Sequence, residues 1–157
     1  MALGTFIAGR YSGSYNGGDI GITEQGFTLS LTPHAERIAE SDAYGQTLIE
    51  LIFRGCDVGL ILDSLEYKTA SIASIWPWGS LGTMGVIGRL GSALAQSVIL
   101  TAAAGTPAAS TPATATFGRS LLSPGFNVNL LFNSKLRKVP IRYDVLPSDS
   151  AIHFTTT

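Results

Sequence analysis

Cysteine is nearly absent from this chain, and histidine and charge are scarce. The single Cys56 has no second thiol for an internal disulfide and no partner at metal-ligand spacing. It reads as a small buried side chain in a protein made in a reducing cytoplasm. Only His34 and His153 offer the base that a serine or cysteine hydrolase needs. His34 lies in an acidic, polar stretch and His153 near the carboxy terminus, so both read as surface or edge histidines. No His, Cys or carboxylate cluster has zinc or calcium spacing. Asp57 and Asp63 stand at an even separation on one apparent strand and so share a face, but charges at strand ends are usually only solvated. No catalytic, cofactor-binding or metal-binding residue is assigned, no cofactor is expected, and the chain is not read as an enzyme.

Charged residues make up 13% of the 157, about half the usual ~25% of a globular domain, while hydrophobic ones make up 45%. Surface with so little charge is either a neutral skin of Thr, Ser and Gly or is covered by other subunits, and the second reading is favoured. The ten basic and eleven acidic residues exclude an overall basic nucleic-acid binder. Their order is more informative than their sum. Nine acids face three arginines through Glu66, a net of minus six, whereas two acids face seven bases from Tyr67 onward, a net of plus five. Halves of opposite sign favour head-to-tail contact between copies, unless the fold mixes them in space. The basic run "NSKLRKVPIR" lacks interleaved aromatics and reads as a hairpin tip or the cationic side of a subunit contact.

What is present is short-period apolar pattern. "GFTLSLT" alternates Phe27, Leu29 and Leu31 with Thr28, Ser30 and Thr32, the period of a strand with one buried face. "DVGLILDSLEY" reads as a second strand. Between them, Leu48, Leu51 and Ile52 recur at helical spacing and Gly55 stands where a helix would stop, which predicts a short helix. Pro33 fits either a helix start or a continued strand. "SVILTAAAG", "TATFGRSLL", "NVNLLFN" and "KVPIRYDVL" are further strands between turn-like segments. The expected fold is one mainly β domain over 1–157: two packed antiparallel sheets, as a sandwich or half-barrel, with one short flanking helix. Extended loops are expected near 10–22 and 76–92.

Two glycine-rich stretches need separate reading. "YNGGDIGIT" is a phosphate cradle, a plain turn, or chain that lies against a neighbour. "WPWGSLGTMGVIGRLGS" has glycines at 79, 82, 85, 88 and 91. It is too short and proline-poor for a collagen helix, never reads G-x-G-x-x-G, and is too glycine-dense for a membrane span. Its apolar residues fit either another molecule's surface or an internal core cover. The start "MALGTFIAGR" lacks the features of a signal peptide or a myristoylation site.

Taken in order, "YNGGDIGITEQGFTLSLT", "SDAYGQTLIELIFRGCDVGLILDSLEY", "WPWG", "SVILTAA" and "NLLFNSKLRKVPIRYDVLPSD" resemble bacteriophage tail tube proteins, a family with pyocin and type VI secretion tubes among its members. The resemblance covers most of the chain and rests on block order. It implies a structural virion protein of the tail, assembled in the host cytoplasm. Six copies would form a ring in which the sheets close into one barrel, and rings would stack into a hollow tube for DNA. Implied partners are other copies, a tail sheath, tape measure, and baseplate or terminator proteins, with double-stranded DNA passing without specific binding. Expected subunit or stacking contacts are Gly17, Gly18, Asp19, Trp76, Trp78, Leu81, Met84, Lys135, Arg137 and Lys138. Candidate lumen acids are Glu24, Asp57, Asp63 and Glu66, since a DNA channel should not bind phosphate. Alternatives are a tail terminator or tube-initiator ring, or a small-molecule-binding β-barrel.

Overall fold

The computed structural model describes residues 10–39, 45–65, 76–79, 85, 87–103, 112–124 and 138–157. Expected features at Leu81, Met84, Lys135, Arg137, Glu66 and in "NVNLLFN" lie outside these residues. The strands are β1 (Tyr11–Tyr15), β2 (Gly18–Asp19), β3 (Thr23–Ile38), β4 (Glu50–Ser64), β5 (Gln96–Ala102), β6 (Thr114–Leu122), β7 (Val139–Val145) and β8 (Thr155–Thr156). One short helix, α1 (Gly91–Leu94), precedes β5. Among the described residues all pairings are antiparallel, in one eight-stranded sheet of order β2-β1-β5-β6-β7-β4-β3, with β8 beside the first half of β6. The chain is thus mainly β and antiparallel with a short helix. Among the described residues no helix is long and apolar enough to cross a membrane.

Alternation along the strands builds the core. Val58, Leu60 and Leu62 of β4 and Val139, Ile141, Tyr143 and Val145 of β7 are buried at every second position. They meet Val98 and Leu100 of β5, Phe117 and Leu122 of β6, and Tyr15 of β1 in one cluster. The sheet curls over this cluster. Tyr15 and Tyr143 stack with ring centroids 5.2 Å apart, although two strands separate β1 from β7. Phe27 of β3 likewise lies over Gly13 of β1, so close that a Cβ on Gly13 would be 2.4 Å from the ring. Burial, and secondarily Tyr15, raise the Tyr143 phenol well above its ordinary pKa. On the opposite face α1 covers Leu121, with Gly91 packed against its methyl.

The structure corrects the helix expected around Leu48–Ile52. Glu50–Ser64 is one long strand, and Pro33 stays inside β3. Leu51 and Phe53 fit a two-residue period as well as Leu48, Leu51 and Ile52 fit a helical one, and pairing with β3 decides between them. Pro33 is tolerated because β3 is an edge strand, where a missing N–H costs no ladder bond if it faces outward. Gly55 adopts φ 122° beside a bulge at Arg54, where it turns the strand rather than capping a helix. The stretch near 10–22 is a hairpin rather than an extended loop. Asn16 and Gly17 have φ of 48° and 78°, the left-handed pair of a tight two-residue hairpin turn. Asp19 Oδ1 then accepts from the Gly21 N–H at 3.0 Å, and buried Ile20 donates its N–H to Gly13. Its glycines therefore serve a turn within the chain.

Candidate functional site

The most distinctive feature is a ribbon made by the far halves of β3 and β4. β4 pairs with β7 only from Gly59 to Ser64, while β3 and β4 stay paired out to Ile38 and Glu50. At about 3.3 Å per residue, the ribbon extends about 30 Å past the last β4–β7 pair. Beyond that point it is two-stranded among the described residues. β3 is the terminal strand, so its outer edge has no strand partner among the described residues over 16 residues. Such an edge presents free N–H and C=O groups ready to pair with another chain.

Cross-strand register sorts the ribbon into two faces. Leu29, Leu31, Pro33 and Ala35 share a face with Leu60, Val58, Cys56 and Phe53, so the apolar face of the core continues outward. The covering stops, however: Leu31, Leu51 and Phe53 are 56%, 51% and 66% exposed. The expected burial of the Phe27, Leu29, Leu31 face thus holds only near Phe27, because none of the described residues covers it farther along. The opposite face is polar and ion-paired. His34 Nε2 lies 2.8 Å from Asp57 Oδ2, and Arg54 pairs with Glu36.

That polar face continues across the body of the sheet. Asp57 and Asp63 share it, as their spacing implied, with Arg142 and Asp144 of β7. Ser123 donates to Asp144 Oδ2 at 2.9 Å, and the Arg142 guanidinium lies 3.4 Å from the position of a Cβ on Gly59. A bulge between Thr23 and Phe27 turns out Glu24, whose carboxylate pairs with Lys138. The hydrogen bond to Glu24, aided by the charges of Glu24 and Asp63, raises the Lys138 ammonium above its ordinary pKa. Lys138 and Glu24, expected at a subunit contact and a lumen respectively, are thus partners within one chain.

The remaining expected contacts are scattered. Gly17, Gly18 and Asp19 are exposed at the hairpin tip. Trp76 and Trp78 are half-buried, and the Trp76 indole N–H has no hydrogen-bond partner among the described residues. The Trp78 carbonyl sits 2.2 Å from where a Cβ on Gly85 would be, at φ 72°, which explains one glycine of the periodic segment. Where β7 leaves β4, a cleft of about 550 Å³ opens between Gly55–Val58 and the chain from Leu146 to His153. Among the described residues no three His, Cys, Asp or Glu gather as metal ligands. Sequence reading missed the ribbon, whose one signal was that the alternation in "GFTLSLT" runs on through "PHA". Compared with known proteins, the chain matches no family model and no curated protein.

Proposed function

We propose that the chain is a structural subunit that assembles with copies of itself through the open edges of its sheet. The observation that carries this is β3, sixteen residues long, which among the described residues is unpaired on its outer side and bears an apolar stripe left open. A two-stranded ribbon is at best marginally stable alone in water, so its natural state is beside further strands. Contact between the two different ends of the sheet is heterologous and generates a ring or a filament. Closure into a ring would remove both edges.

Within this reading the tail-tube resemblance of the sequence gives the assembly its form: six-copy rings stacked into a hollow tube of a phage tail, with DNA as cargo and no catalysis. The polar face bearing Asp57, Asp63 and Asp144 would line the lumen, since carboxylates repel phosphate. Negative-stain electron microscopy of the purified chain over a range of concentrations tests the proposal. Stacked hollow rings support it, isolated rings favour a terminator or initiator, and monomers throughout refute assembly. The cleft at the β4–β7 fork favours a second reading, a monomeric small-molecule binder, because its volume falls within the ~300–1,000 Å³ of ligand pockets.

A further inference from the structure

The ribbon ends in a surface that its edge pairing does not explain. Register places Ile38, Glu50 and Ile52 on one face of the tip, with Leu48 and Ile49 just before them. All four apolar residues are exposed at 40–46%. Glu50 Oε1 accepts only the N–H of its neighbour Leu51, and no cation pairs with it among the described residues. Arg37, also near the ribbon tip, pairs in register with Leu51 and so belongs to the other face.

A surface of matching apolar character and opposite sign lies elsewhere on the same chain. Ile87 and Leu90 are 83% and 74% exposed and flank an exposed Arg89, which has no carboxylate partner among the described residues. Its carboxy-terminal end is anchored: Ala93 donates to the Leu90 carbonyl, Ala95 to that of Gly91, and Gly91 packs against Leu121. The patch therefore leads directly into α1, on the helix-covered face of the sheet.

We propose that the ribbon tip of one copy docks on the Ile87–Leu90 patch of a second copy, with Glu50 paired to the partner copy's Arg89 and the surrounding isoleucines and leucines covering one another. This rests on the self-assembly reading and adds a second contact to edge pairing. Apolar residues around a single opposed charge pair are what interfaces combine: the burial supplies affinity, and the pair fixes register and excludes wrong partners. The occupant is a second copy because the two uncovered patches are complementary in sign and belong to one sequence. Two distinct patches meeting in this way make a heterologous contact, which propagates from copy to copy.

Charge exchange tests the contact. Glu50→Arg and Arg89→Glu are surface changes, and circular dichroism checks that each variant folds. Each alone should raise the concentration needed for assembly about tenfold or more, since like charges then face one another. An equimolar mixture of the two variants should assemble near the wild-type concentration, because in an assembly where the two variants alternate every junction pairs opposite charges. The double variant Glu50→Arg/Arg89→Glu should do the same, with opposite charges restored at every junction. Single variants that assemble like wild type would overturn the contact, as would single variants that weaken assembly without restoration in the double variant. Wild-type protein that stays monomeric would instead overturn the assembly reading on which the contact depends.

Discussion

Replacing Phe53 by serine separates the ribbon from the core. Full burial of a phenylalanine is worth about 1.5–3 kcal/mol. Phe53 is two-thirds exposed in the free chain, so its own fold draws about 0.5–1 kcal/mol from it, and the larger share, about 1–2 kcal/mol, is available only to a partner. Leu60 is the contrast: it faces the same side of β4 but is fully buried, and Leu60→Ala should cost about 2–5 kcal/mol. For a chain of this size a kilocalorie shifts Tm by about 2–4 °C. In dilute, dissociated protein Phe53→Ser should therefore lower Tm by about 1–4 °C and Leu60→Ala by about 4–20 °C. In sedimentation at higher concentration Phe53→Ser should weaken association about 5- to 30-fold at each junction between copies. A Tm drop for Phe53→Ser as large as that for Leu60→Ala would refute the reasoning, because the stripe would then belong to the core of the single chain. So would unchanged association of a wild type that does assemble.

Other consequences follow from individual packing and turn geometries. Gly13→Ala places a methyl against the Phe27 ring and the Ile20 side chain, and should cost about 1–3 kcal/mol in urea unfolding. Phe27→Leu should recover much of that deficit, and additive effects of the two changes would argue against the packing. Gly17→Val forces a β-branched residue to positive φ in the β1–β2 turn and should cost about 1–2 kcal/mol; an unchanged unfolding midpoint would contradict the turn geometry. The raised Tyr143 pKa means that the unfolded chain gives up this proton first as pH climbs past 10.0, the ordinary phenol value. Stability should accordingly be full below that pH and fall above it, and Tyr143→Phe should flatten the fall in alkaline denaturation curves.

Much of the sheet was legible because its strands are short, β-branched and bounded by turn residues: "SVILTAA", "TATFGRSLL" and "KVPIRYDVL" fall on β5, β6 and β7. The first half of β4 was not legible. Leu48, Leu51 and Ile52 satisfy a helical period, and only pairing with a strand distant in sequence selects the extended form. Alternation also identified which residues of β3 face the core side, yet it was silent on where the core ends. Leu29 and Leu31 carry the signature of burial, and the chain simply has no second layer among its described residues to place over them. The ion pairs His34–Asp57, Arg54–Glu36 and Glu24–Lys138 depend on register and on two bulges, neither of which a single sequence displays. The composition did anticipate one thing in kind: scarce charge and abundant apolar residues correspond here to a ribbon with an exposed apolar face.

Hydrogen exchange along β3, measured on dissociated and concentrated protein, tests edge pairing most directly. In an antiparallel ladder alternate amides of an edge strand point to its one neighbour and the rest point outward. The account predicts that the inward set between Thr23 and Ile38 is protected under both conditions, whereas the outward set becomes protected only as copies associate. Outward amides that exchange freely at every concentration, or that are already protected in the single chain, would contradict it.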